Sequence, residues 1–216
     1  MVTAAFAFAR AAGADYPTAV GLANFAAGLE VGLHGVTPLP RRQILAAIRA
    51  EAEPATRKIV ARAEVEALVQ ELRQQGRRIA FTNGCFDLLH LGHVQMLQYA
   101  RAQGDLLIVG LNTDASARKL KGPGRPINSQ DVRSRVLASI ADVDYVVLFD
   151  EESVLPLIKQ VRPDVLVKGG DYGREGVVGC EFVESCGGEV RLAPRVEGLS
   201  TTELVNRIAG SNEAAD

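Results

Sequence analysis

No stretch of the 216-residue chain is apolar for long enough to span a bilayer, which takes about 20 consecutive residues. The N-terminal "MVTAAFAFARAAG" is apolar but has no basic segment ahead of it, so it reads as a helix and not as a secretory signal. Cysteine is scarce. Cys85, Cys180 and Cys186 are an odd number at no framework spacing, which argues against a disulfide scaffold and for a reducing cytoplasm. An excess of positive charge is missing too. The formal net charge of −2 argues against a general nucleic-acid binder, though not against a local basic patch. Only three histidines occur, and two of them lie three apart in "NGCFDLLHLGH", residues 83 to 93.

What is present is an ordinary globular balance, 47% hydrophobic and 23% charged. The length suits one sizeable α/β domain with an appendage. Residues 1 to about 50 read as Ala-rich helices, apolar on most of their surface, which need a partner to bury against. A docking surface or a dimer is expected from them. Residues 51 to 76 begin with the linker-like "EAEPATRK". There follows an amphipathic helix with Val65, Leu68, Val69 and Leu72 at i, i+3, i+4, i+7 spacing, and Gly76 as its stop.

From residue 77 the pattern alternates. Five short, nearly continuous apolar runs read as strands: "RRIAFTN", "DLLIVGLN", "VDYVVLF", "DVLVKGG" and "EVRLAP". Helical stretches lie between them, including "LGHVQMLQYARAQG" and "SQDVRSRVLASI" with Ser129 as N-cap. The alternation predicts an α/β fold with a doubly wound, parallel, five-stranded sheet and an N-terminal helical extension. In such sheets ligands bind beyond the carboxyl ends of the strands. "TNGCFD", "LNTD" and "KGGDY" all lie at those ends.

The stretch 83–93 admits three readings. Cys85, His90 and His93 could ligate a metal, but a closed zinc site needs four ligands and no CxxC lies near. Cys85 could be a nucleophile, yet a lone cysteine at a strand end is more often buried and inert. The third reading is a phosphate grip. A helix starting near Leu91, Gly92 and His93 offers unpaired N–H groups, and Gly92 lets a ligand approach the backbone. Two imidazoles add donors there.

"HLGH" in this setting resembles the HxGH signature of the nucleotidyltransferase superfamily. The context "FTNGCFDLLHLGHVQMLQYARAQGDLLIVGLNTDASARKLKGPGRPI", then "VKGGDY", then "LSTTELVNRI", resembles the adenylyltransferase domain of the bifunctional heptose kinase/adenylyltransferases. The resemblance covers residues 77 to 209. It implies a Rossmann-like fold for 77–216, and a cytoplasmic enzyme of lipopolysaccharide precursor synthesis. The implied reaction is ATP plus D-glycero-β-D-manno-heptose 1-phosphate giving ADP-heptose and pyrophosphate. Residues 1–50 resemble the C-terminal tail of the family's ribokinase-like kinase domain, without its anion-hole motif, so sugar phosphorylation is not expected.

The resemblance also implies site residues. His90 and His93 would contact the triphosphate, with Lys121 as a third catalytic group. Asn83, Gly84, Phe86, Gly92, Arg125 and the run Ser200, Thr201 and Thr202 would bind nucleotide or phosphate. Asp87, Arg133, Lys168 and Asp171 would meet the substrate: Arg133 as a phosphate contact, Asp171 through a sugar hydroxyl or a metal-bound water, and Asp87 through a substrate hydroxyl unless it braces the turn. Arg118 and Lys119 are taken as surface charges. "RKLKGPGRP", residues 118 to 126, reads as a charge run in a loop after the second strand, and with Gly122 and Gly124 in it that loop is expected to close on substrate. Mg²⁺ is expected to accompany ATP, with no protein ligand named. No nucleic-acid or membrane partner is expected. Two alternatives stay open: a cytidylyltransferase for glycerol 3-phosphate or a similar small phosphate, and a non-catalytic nucleotide-binding module.

Overall fold

The computed structural model describes residues 2–31, 39–51, 54–170, 176–194 and 205. The chain divides into two compact units, residues 1–53 and 54–216.

The first unit contains α1 (Val2–Ala11), α2 (Tyr16–Val31) and α3 (Arg41–Glu51). The seam of α1 and α2 is built on alanines: Ala9, Ala19, Ala23 and Ala26 are buried. Small side chains let two helices approach closely, but they bury little area. Phe8, Tyr16, Val20 and Val31 stay exposed.

The second unit runs α4 (Pro54–Arg57), β1 (Ile59–Val60), α5 (Val65–Gln74), β2 (Ile79–Gly84), α6 (Leu91–Arg101), β3 (Leu106–Asn112), α7 (Asp114–Lys121), α8 (Gln130–Ala138), β4 (Tyr145–Phe149), α9 (Leu155–Val161), β5 (Val165–Gly169), α10 (Cys180–Ser185) and β6 (Glu189–Ala193). All strands are parallel, in the order β1-β4-β3-β2-β5-β6. The sheet therefore has six strands and not five. The extra one is β1, whose two residues pair with Val146 and Val147 at the edge. Two residues are too few to show a strand period, and the polar run before them hid it. Lys58, in that run, donates to the carbonyls of Ile140 and Val143. It anchors the edge to the turn after α8.

Strand alternation sorts the core into two layers. Ile79, Phe81, Ile108, Val147 and Leu166 face one side, under Val65, Val69 and Leu72 of α5 and Leu157, Ile158 and Val161 of α9. Ala80, Leu107, Val109, Val146 and Val165 face the other, under Leu97 and Ala100 of α6 and Leu137 of α8. Gly76, with φ +69, stops α5 in a conformation that other residues adopt at a cost. Gly110 has a steric reason. A Cβ there would lie 2.9 Å from Phe81 and 3.1 Å from Leu157, so the layer closes only over a glycine.

Three aspartates set the register. Asp105 accepts from the amide of Arg78, Asp164 from Ile79 and Asp144 from Leu107. The amino ends of neighbouring strands are thus tied side by side. The carboxyl ends of β2, β3 and β5 consequently align as one edge.

Candidate active site

β2 and β5 lie side by side where the strand order reverses, since β3 and β4 extend one way and β5 and β6 the other. The crevice beyond that reversal is where a doubly wound sheet binds ligands. β2 ends in Asn83 and Gly84, and six residues separate it from α6. Phe86 makes the turn with φ +46, which costs a non-glycine residue about 1–3 kcal/mol. Its ring is buried and passes within 3.1 Å of where a Cβ on Gly84 would stand. Burial of the ring offsets the strain, and Gly84 gives it room.

His90 caps α6 in an extended conformation and His93 sits in the first turn. Their rings lie face to face, centroids 3.9 Å apart and planes tilted by 32°. The Phe86 ring backs His93 at 5.3 Å. Burial, then the neighbouring His90, then the Lys121 charge hold His93 down at a pKa of about 4. At neutral pH its imidazole is therefore uncharged. Its Nδ1 is sealed from water and meets no hydrogen-bond partner among the described residues. A buried polar atom without a partner calls for a cause, and in a cleft an incoming ligand supplies one. The amides of Leu91 and Gly92 open the helix beside it.

Lys168, at the end of β5, reaches across the reversal. Its Nζ donates to Asn83 Oδ1 at 2.5 Å. Burial pulls its pKa down to about 8, so it carries a charge at neutral pH at a desolvation cost. Asn83, Gly84, Phe86, His90, Gly92, His93 and Lys168 are thus brought to one end of the sheet, as the sequence led one to expect.

The segment after β3 differs from expectation. Residues 118–121, the start of the expected loop, belong to α7, which is capped by Thr113, whose side chain accepts from the Ser116 amide. Arg118, Lys119 and Lys121 stand on this helix and are exposed. Lys119 pairs with Glu152. Lys121, at its C-terminal end, is close enough to His93 and Cys85 to act on both electrostatically.

Arg133 was expected to meet a substrate. It is instead buried to 2% exposure. Its Nη1 donates to the carbonyls of Cys85 and Asn112, its Nε to that of Asn128, and its Nη2 to Asp114. The guanidinium ties the ends of β2 and β3 to α7 and α8, and leaves little to offer a ligand. Asp87 was expected to meet a substrate hydroxyl or to brace the turn. Its buried carboxylate braces: it accepts from the amides of Ile127 and Asn128 and pairs with Arg125.

Asn112, Ser116 and Asn128 were not anticipated. Asn112 Nδ2 donates to Ser116 Oγ, and Asn128 is held on both sides by Asp87 and Arg133. The sequence signal was an asparagine ending an all-apolar strand, a place where a polar side chain needs a partner. The nucleophile reading of Cys85 loses support. Burial pushes its thiol up, away from the reactive thiolate. Among the described residues no group of three or more His, Cys, Asp or Glu is placed to hold a metal. Nor is any helix among them long and apolar enough to cross a membrane. Asp171, Ser200, Thr201 and Thr202 lie outside the described residues.

Known proteins resemble the chain over nearly all of its length. It is 50% identical to the bifunctional protein HldE of Pseudomonas paraeruginosa over 207 residues, 96% of this chain and 44% of that protein. It is 49% identical to the bifunctional protein HldE of Koribacter versatilis over 95% of this chain and 43% of that one. The chain thus spans less than half the length of these relatives. The solved structure of the lipopolysaccharide core biosynthesis protein from Thermoplasma volcanium is 26% identical, with a TM-score of 0.48 over 56% of this chain and 98% of that one. Residues 81–207, which include the paired histidines and Lys168, match the cytidylyltransferase-like family, and the chain belongs to it.

Proposed function

We propose that the chain transfers the adenylyl group of ATP to D-glycero-β-D-manno-heptose 1-phosphate, giving ADP-heptose and pyrophosphate. The observation that carries the reading is the histidine pair stacked at the start of α6, after the strand that ends at the order reversal. The 50% identity to bifunctional HldE proteins supports the choice of substrate that the sequence resemblance implies.

The chemistry asks for little beyond positioning and charge neutralisation. The attacking oxygen of a sugar phosphate is already ionised at neutral pH, so no strong base is required. His93, uncharged, donates one N–H to the α-phosphate as negative charge builds there. His90 and the opening amides of α6 hold the rest of the triphosphate. Lys168 and Lys121 supply positive charge from two sides, and Arg125 adds a fork of donors. Lys168, held by Asn83, is assigned to the sugar phosphate. Mg²⁺ would accompany ATP and neutralise charge on the departing pyrophosphate, with no protein ligand assigned to it.

Pyrophosphate release with heptose 1-phosphate and a panel of nucleotides tests the reading. Release with ATP and not with CTP is expected. Release with CTP alone would make the chain a cytidylyltransferase, and binding without release a nucleotide-binding module.

A further inference from the structure

We infer that Asp87 is a positioning residue that aims Arg125 at the nucleotide phosphates. The inference rests on the phosphate site proposed above. Asp87 is 5% exposed, and its two carboxylate oxygens are divided between two tasks. Oδ1 accepts from the backbone amides of Ile127 at 2.7 Å and Asn128 at 3.0 Å. Oδ2 meets Arg125 Nε at 2.9 Å. The Asp87 carbonyl takes a third bond, from Asn128 Nδ2 at 2.9 Å. The far side of Asn128 is fixed by Arg133 Nε on its carbonyl. Asp87 follows the β2 turn directly, so the segment bearing Arg125 is clasped to the turn that leads into the two histidines.

The way Arg125 is gripped matters most. A carboxylate that met both Nη groups would close the guanidinium fork. Here the ion pair is made through Nε. Nη1 and Nη2 carry no hydrogen bond among the described residues, although the side chain is only 17% exposed. An arginine paired with a carboxylate through Nε keeps its two terminal nitrogens out of the ion pair. Such a fork suits two oxygens of a phosphate. Lysine cannot copy this, because its single nitrogen would have to serve both Asp87 and the ligand.

The test is ATP affinity by calorimetry on the full chain, with melting curves as a control for folding. Arg125→Ala should weaken ATP binding about tenfold or more, the usual loss for a charge-assisted hydrogen bond. Arg125→Lys should lose as much, within about threefold. Asp87→Asn keeps the shape and the amide contacts but turns a donor toward Nε. It should lose a similar factor, and adding it to Arg125→Ala should cost less than a further threefold, because the two residues act as a unit. Affinity of Arg125→Lys within about threefold of wild type would overturn the inference. So would losses from Asp87→Asn and Arg125→Ala that multiply. If Asp87→Asn does not fold, the two Arg125 variants decide alone. A wild-type chain that binds no ATP would overturn it as well. One that binds ATP but releases no pyrophosphate with heptose 1-phosphate would sink only the acceptor assignment above.

Discussion

Two strand-end regions of this sheet each hold a cation, Arg133 buried and Lys168 half-buried, and the two cations differ in their surroundings. At the end of β3, Arg133 is surrounded by main-chain carbonyls and Asp114, which engage its Nε and both Nη groups. At the ends of β2 and β5, Lys168 has Asn83 for an acceptor, and the turn after β2 leads to a pair of half-buried histidines. The first is a frame. The second stands at the strand-order reversal, where the phosphates are proposed to bind. The lesson is that a cation near a phosphate site is assigned by where the carbonyls around it point, not by its charge or its place in the chain.

The comparison can be broken most easily at Arg133. Arg133→Met would leave Asp114 and three carbonyls without their donor. Loss of a buried partner of this kind costs about 3–5 kcal/mol, so a large drop in the urea midpoint is expected. A variant with unchanged stability would return Arg133 to the list of ligand contacts.

His93→Ala should do the reverse. Stability should hold, while kcat falls about a hundredfold, or about 3 kcal/mol of barrier. A loss confined to KM would make His93 a binding residue only.

Lys168→Met removes a desolvated charge from the crevice, so stability should stay level or rise, while KM for the sugar phosphate rises about tenfold. The pH dependence follows from its lowered pKa. Lys168 is charged below about 8 and loses its proton as the pH rises through that value. KM for the sugar phosphate should therefore climb above pH 8 in the wild type and not in Lys168→Met. The smallest effect is expected at Cys85. Cys85→Ser should keep kcat within about threefold, because a thiol pushed up by burial is no nucleophile at neutral pH.

Much of this was legible in the sequence. The apolar runs at 79–84, 106–112, 145–149, 165–169 and 189–193 are the long strands of the sheet, and Val65, Val69 and Leu72 do form the buried stripe of α5. The histidines were legible because their spacing, three apart after a glycine-bearing turn, has few other uses. What escaped was tertiary. β1 is too short to show a period. α7 was hidden because "RKLKG" reads as a charge run, while its cap is a lone threonine and its buried residues are only Ser116 and Ala117. Arg133 was taken for a ligand contact because three of its four acceptors are backbone carbonyls, and one of them lies 48 residues away, at Cys85. No side-chain pattern records a carbonyl's direction.

The phosphates are proposed to bind beyond the carboxyl ends of β2 and β5, and not at the Arg133 frame. Titrating the His93 ring by NMR, with and without ATP, tests it most directly. Without nucleotide the ring should titrate at about 4. Triphosphate charge laid against it favours the protonated form, so with ATP bound the value should move up toward the ordinary histidine range of about 6.5. ATP that binds by calorimetry yet leaves the His93 titration where it was would contradict the account.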